Sequence, residues 1–161
     1  MIRPDHLRKY VIEPSLIRLG SRYKSDDAVE LLLMIAAHES HLGEYLHQVG
    51  GPAVGIFQME PATFHDCLVN FVRYNRILEN QLGQEFYRLP NPAYMAFDLS
   101  FATAMARVQL YRQPEALPHR SDIRAMAEYA KKYWNTEAGK ATVDDYEQAY
   151  RVLVLGEEIE E

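Results

Sequence analysis

Cysteine is almost missing from this chain. Cys67 stands alone among 161 residues, so no intrachain disulfide can form and a disulfide-stapled scaffold is excluded. Long apolar runs are missing too. No segment reaches the roughly 18 continuous apolar residues that a membrane-spanning helix needs. The start, Met1-Ile2-Arg3-Pro4-Asp5-His6, shows no signal-type apolar stretch. The expectation is that something other than a standard signal would carry the chain to any target outside a cytoplasm. Basic charge is in deficit: Lys and Arg number 17 against 23 Asp and Glu, a formal net charge of −6. A dedicated nucleic-acid binder needs a basic face to displace counterions, so that class is disfavoured. Gly50-Gly51-Pro52 lacks the Lys and Ser/Thr of a phosphate-binding loop.

Two arrangements look reactive and lack the required spacing. His38-Glu39-Ser40-His41 does not place two imidazoles one helical turn apart around a His-Glu pair, as a zinc-protease helix does. No metal is expected. His65-Asp66-Cys67 occupies adjacent positions, which point in different directions on a helix, so the trio forms no local relay. Cys67 is expected as buried filler.

What is present is an ordinary globular composition, 48% hydrophobic and 25% charged, long enough for one domain over 1–161 with its own core. The run Leu31 to Ala37 is apolar throughout and follows Ser25, Asp26 and Asp27. A capping Ser or Asp, acidic first-turn residues and strong helix formers predict a helix from Asp26 to about Ser40. A helix apolar on all faces belongs in the middle of a domain. Five glycines and prolines between His41 and Gly55 predict a loop or tight hairpin, with a weak strand signal over Ala53 to Gln58.

Pro61 opens a further helix to about Leu68, and helical spacing (Phe71, Tyr74, Ile77, Leu78) continues it over Val69 to Gln84. More helices are predicted over Ala93 to about Arg112, from Ser121 or Asp122 to about Trp134, and from Thr142 to about Leu155. Asp145 gives the last one an approximate capping box. The tail Gly156 to Glu161 is acidic and expected to fray. The fold class is therefore all-α, with a short β-hairpin after the central helix as an option.

Glu39 lies at the end of the most buried helix. The negative end of the helix dipole and the loss of water both disfavour its ionised form, which suits a general acid near neutral pH. The alternative at this point is a solvated carboxylate just outside the core. Sixteen residues after Glu39-Ser40 comes Gly55-Ile56-Phe57-Gln58-Met59-Glu60-Pro61-Ala62-Thr63. The Glu-Ser pair ending a buried helix, then a glycine-bearing loop, then Gly-apolar-apolar-Gln-apolar leading to Pro and Thr, resembles the lytic transglycosylases related to goose-type lysozymes. The resemblance is clear over residues 26–64 and thinner up to 139. The family carries a Tyr-Asn pair on a later helix. Here Tyr133-Trp134-Asn135 is followed by Gly139. Asn135 fits, Trp134 stands in the tyrosine position, and Tyr133 or Tyr129 are candidates for the hydroxyl.

The resemblance implies a lysozyme-like domain whose central helix carries the catalytic Glu39 and whose substrate is the glycan strand of peptidoglycan. One glutamic acid would protonate the bond between N-acetylmuramic acid and N-acetylglucosamine. It would then act as base on the muramic 6-hydroxyl, giving a 1,6-anhydro product without metal or cofactor. Ser40 and Gln58 would hydrogen-bond the sugar or hold Glu39, Met59 would pack under a sugar ring, and Gly55 would let the glycan approach the backbone. Tyr133, Trp134 and Asn135 would complete substrate binding, although the aromatics equally suit a packed helix face. Because a second carboxylate would permit plain muramidase hydrolysis, Glu44, Glu60 and Asp66 are candidates for that role. A non-catalytic structural or glycan-binding virion component is the other alternative. The missing signal and the resemblance to phage transglycosylase-like proteins point to delivery by a bacteriophage particle, with virion or lysis proteins as partners.

Overall fold

A computed structural model of the chain describes residues 1–86, 90–136 and 138–160. The fold is all-α. Its elements are α1 (Pro4–His6), α2 (Glu13–Leu19), α3 (Asp26–Ser40), α4 (Pro61–Asn70), α5 (Arg76–Glu85), α6 (Leu99–Tyr111), α7 (Ile123–Ala130) and α8 (Val143–Ala149). Wide π-helical turns at Leu7–Ile12, Lys131–Asn135 and Tyr150–Val154 join α1 to α2 and extend α7 and α8. No helix among the described residues is long and apolar enough to cross a membrane.

α3 is the axis of the molecule. Ser25 accepts a hydrogen bond from the Ala28 amide at 3.1 Å, and Asp26 and Asp27 sit in the first turn. Every residue from Leu31 to Ala37 is buried, so neighbours surround the helix on all sides. One hydrophobic cluster runs from Leu7 on the N-terminal segment through α3 and α6 to Tyr150. Glu30 ties three parts of the chain together. It pairs with Arg8 at 2.8 Å and accepts the Tyr150 hydroxyl at 2.8 Å.

Local side chains set the other helix starts. Asn75, Asp98 and Asp122 each cap with a side-chain oxygen, and Thr142 with Asp145 forms a full capping box. Two expected helices begin later or break. The stretch from Val69 to Gln84 is interrupted, because the backbone turns out of helix at Phe71 and Asn75 starts α5 afresh. In consequence Tyr74 and Ile77 are exposed, while Val72 and Leu78 are buried. The helix expected from Ala93 begins at Leu99, since Asp98 accepts from the Phe101 amide and Pro92–Ala96 forms a tighter turn. The N-terminal helices had no strong sequence signal. Pro14 falls just after the wide turn, where a missing N–H and a bulky ring are tolerated. The tail over 156–160 has no regular structure, and Glu161 lies outside the described residues.

The optional hairpin after α3 is reduced to isolated antiparallel bridges, His47 to Val54 and Val54 to Met59. Gly55 turns this loop with φ +83°. A Cβ there would lie 2.5 Å from the Met95 carbonyl oxygen. Gly55 therefore admits another stretch of protein backbone, which corrects the expectation that it admits the glycan. Gly55→Ala should cost roughly 2 kcal/mol, from left-handed strain and the clash together. In a thermal melt this is a drop of about 4–8 °C. A melt within a degree of wild type would contradict it.

Candidate active site

α3 ends at Ser40 because His41 turns left-handed, with φ 49°. The Ser40 side chain then fastens the loop to the helix end. Its hydroxyl donates to the Ile56 carbonyl at 2.6 Å and accepts from the Gly43 amide at 2.9 Å. Ser40 is completely buried. It lies beneath the site and not in it, which corrects its expected contact with substrate and shows no direct bond to Glu39.

Above this clasp lies an open groove of about 620 Å³. Glu39, Gln58, Met59, Trp134 and Asn135 line it, so five of the eight expected site residues converge there. The loop supplies Gln58 and Met59, α3 supplies Glu39, and the π-helical turn after α7 supplies Trp134 and Asn135. Thr63 and Glu60 add the start of α4, and Tyr45 and Gln48 add the opposite lip. Tyr133 is not part of the lining. It packs on Tyr129, ring centroids 4.6 Å apart, and faces Glu115 and Lys132. Tyr129 donates to the Glu115 carbonyl at 3.0 Å. Neither tyrosine supplies a hydroxyl to Glu39: that of Tyr129 is taken by the Glu115 carbonyl, and Tyr133 lies beside Glu115 and Lys132.

That hydroxyl comes from Tyr146, which the motif comparison missed. Tyr146 is fully buried on α8 and donates to Glu39 Oε1 at 2.6 Å. The His38 ring packs on it at 4.2 Å between centroids. Asn135 meets the same hydroxyl. Its own oxygen is held by Lys131 Nζ at 2.7 Å, which leaves its amide nitrogen as the free end. Lys131 also binds the Thr136 and Gly139 carbonyls at 2.7 and 3.0 Å. Gly139 has to be glycine, since a Cβ would collide with Asn135 Oδ1. The sequence did contain a signal for Tyr146: a capping box fixes α8, and Tyr146 falls on the same helical face as Tyr150, one turn later.

Burial pushes the Glu39 carboxyl up from its ordinary value near 4.5 to about 7, and the Tyr146 hydrogen bond pulls in the other direction. Desolvation wins, and an appreciable fraction of Glu39 holds its proton at neutral pH. Burial and the neighbouring Glu39 charge in turn raise the Tyr146 phenol, so that it stays a donor. Of the three further carboxylates considered, only Glu60 lines the groove. Glu44 pairs with His41 at 3.2 Å, and Asp66 pairs with Arg112 at 2.6 Å. His38, His41 and His47 face different partners, and no metal-holding cluster occurs among the described residues. Cys67 is buried, with burial lifting its thiol to about 11.

Backbone strain gathers at the same place. The four non-glycine residues with positive φ among the described residues are His41, Leu42, Gln58 and Thr136. Gln58 and Thr136 line the groove, and the other two follow Ser40 directly. Such conformations cost of order 1–3 kcal/mol each and persist where surroundings enforce them, typically at functional sites. Compared with protein-family models, curated proteins and solved structures, the chain matches none.

Two outcomes follow for Glu39. Its folded value lies above its ordinary one, so the folded state holds the proton more tightly, and stability falls as pH rises from about 4.5 through about 7. Glu39→Gln has no such proton to lose. Urea unfolding should show the variant gaining about 2–3 kcal/mol on wild type between pH 4.5 and pH 8. A pH-independent difference would remove the buried-acid assignment. Tyr146→Phe deletes the bond that favours the carboxylate, so the Glu39 titration, followed by carboxyl-carbon NMR, should move above its wild-type midpoint. A downward move would mean that the bond does not stabilise the carboxylate.

Proposed function

We propose that the chain cleaves the glycan strands of bacterial peptidoglycan, between N-acetylmuramic acid and N-acetylglucosamine, as a lytic transglycosylase of lysozyme-like fold. The observation that carries this reading is the position of Glu39, a desolvated carboxyl at the wall of an open groove with one tyrosine donor. A degenerate, non-catalytic descendant of such a site would have no need to keep its acid uncovered. That Glu39, Gln58, Met59 and Asn135, which carry the resemblance in sequence, line one groove supports the same reading.

Neutral Glu39 gives its proton to the glycosidic oxygen as the bond from that oxygen to the muramic anomeric carbon breaks. The leaving sugar departs with a free hydroxyl. The new Glu39 carboxylate accepts the Tyr146 hydrogen bond, a charge-assisted contact stronger than the neutral one. Glu39 then takes the proton of the muramic 6-hydroxyl while that oxygen closes on the anomeric carbon, giving the 1,6-anhydro ring. The proton lost in the first step returns in the second. As written, the reaction uses no metal or cofactor.

A muramidase is the second reading, and one observation favours it: the carboxylate of Glu60 belongs to the same groove. Digestion of purified sacculi with mass spectrometry of the fragments separates the two. Wild type should release anhydro-muramic ends, with a rate that declines as pH rises past about 7, the value at which Glu39 loses its proton. Glu39→Gln should be slower by about a thousandfold. Reducing ends that vanish in Glu60→Gln would make the chain a hydrolase. An absence of fragments from folded protein on several wall types would leave a glycan-binding role without catalysis.

A further inference from the structure

The corner between α4 and α5 leaves apolar side chains and cations uncovered together. Tyr74 and Ile77 are 77% and 81% exposed, and Val69, in the last turn of α4, is exposed as well. Arg73 and Arg76 are exposed within the same stretch. Arg73 lies over the Tyr74 ring at 5.9 Å, and neither arginine makes an ion pair among the described residues. Single exposed apolar residues are ordinary on a protein surface. Tyrosine and arginine side by side are instead the residue types enriched at protein interfaces. On a chain of net charge −6, this corner is also a local exception in sign.

The opposite kind of surface lies at the end of the last helix. Gly156, with φ +72°, turns the chain back, and the Glu157 amide donates to the Arg151 carbonyl at 2.9 Å. Ile159 thereby comes to lie along the helix. It borders a cavity of about 260 Å³ with Ala149, Val152 and Leu153, and a second of about 330 Å³ with Glu157, Glu158 and Glu160. Asp144 and Glu147 extend this acidic rim. Arg124 and Arg151 pair with Asp144, Glu147 and Glu157. Glu158 and Glu160 make no ion pair among the described residues. An apolar floor inside a rim of unbalanced acid suits an apolar side chain carried on a cationic segment. An anionic lipid surface is repelled by the same rim.

We propose that copies of this chain associate head to tail, with Tyr74 and Ile77 of one copy on the apolar floor beside Ile159 of the next, and Arg73 and Arg76 against Glu158 and Glu160. Each face supplies the charge that the other lacks, and both carry uncovered apolar groups. The two faces differ, so the contact is heterologous and continues to further copies, as a ring or an open row, where a two-fold dimer would close. Both are small, which places the contact in the weak and transient class. His38 borders both the cavity under Ile159 and the groove, so the contact falls beside the candidate site. The association stands whether or not the groove cleaves glycan.

Sedimentation velocity of the full chain tests this, from about 10 μM to about 1 mM, the range of weak contacts. At about 0.01 M salt the weight-average sedimentation coefficient should rise with concentration. Raising salt to about 0.15 M shortens the Debye length from about 30 Å to about 8 Å and should weaken association about tenfold. Arg73→Glu with Arg76→Glu, and separately Glu158→Lys with Glu160→Lys, should each weaken it at least about tenfold at low salt. The first variant adds negative charge and the second removes it, so overall repulsion cannot explain both losses. An equimolar mixture of the two variants restores opposite charges across the contact and should associate as wild type does. Ile77→Ser should weaken association at either salt. The substituted side chains are exposed, so thermal melts should match wild type. A wild type that stays monomeric over the whole range at low salt overturns the proposal and leaves the face at Ile159 to a cationic segment of another protein. Association that survives both charge reversals, a mixture that does not recover, or an Ile77→Ser variant that associates as wild type does, overturns it as well.

Discussion

A helix buried on every face meets water only at its ends, and the organisation of this molecule follows from that constraint on α3. Between Leu31 and Ala37 nothing on the helix reaches solvent. The elements around it bury their apolar faces against it, from the N-terminal segment to α6 and α8. Polar chemistry is therefore confined to the two ends. At one, Glu30 binds Arg8 and Tyr150 and closes the chain termini onto the axis. At the other, Glu39 stands at the edge of the groove with Tyr146 as its partner. Tyr146 and Tyr150 are one helical turn apart on the last helix, and each donates to a glutamate of α3. The two bonds set how the last helix lies along the axis. Each borders a cavity, of about 620 Å³ at Glu39 and about 430 Å³ at Glu30, but Glu30 has Arg8 as a cationic partner and Glu39 has none.

The groove walls are positioned from below. Ser40 joins the helix end to Ile56 and Gly43, Gly55 lets the loop rest on the Met95 carbonyl, and Lys131 gathers Asn135, Thr136 and Gly139. None of these contacts needs a ligand. They hold left-handed backbone at His41, Leu42, Gln58 and Thr136 that would otherwise relax. The rigidity explains why Gln58 can present its oxygen, and Asn135 its nitrogen, in one orientation each. A preorganised polar wall loses no reorganisation energy when charge develops near it.

Features set by local chemistry were legible in the sequence. The limits of α3 followed from Ser25, the acidic first turn and the glycine-bearing loop, and the start of α8 from Thr142 and Asp145. The all-α class followed from period and composition. Long-range geometry was not legible. A break at Phe71 and a late start at Leu99 depend on which of several Asn and Asp residues caps, and the hydrophobic spacing ran through both. Ser40 and Gly55 were legible as the helix end and a turn of the following loop, but their neighbours, Ile56 and Met95, are known only once the chain has folded. Tyr133 was put forward because it adjoins Trp134 and Asn135 in sequence. The hydroxyl that reaches Glu39 instead comes from Tyr146, brought in by the packing of α8 on α3.

The acidic residues near the groove show how environment assigns roles among chemically similar groups. Glu44 and Asp66 each have a basic partner, and Asp66 is committed to holding Arg112. Glu60 is exposed at the start of α4, where water already solvates it. Among the described acidic residues near the groove, Glu39 alone lacks both a cationic partner and full hydration, and its one protein donor, Tyr146, is too weak to offset the desolvation. A carboxyl in that state is a proton donor before it is a charge. In the proposed reaction the lost proton returns from a group that the substrate brings. A sugar hydroxyl that attacks its own anomeric carbon is such a group. An external water would need a second carboxylate held across the bond, and among the described residues of the groove Glu60 is the one that offers it.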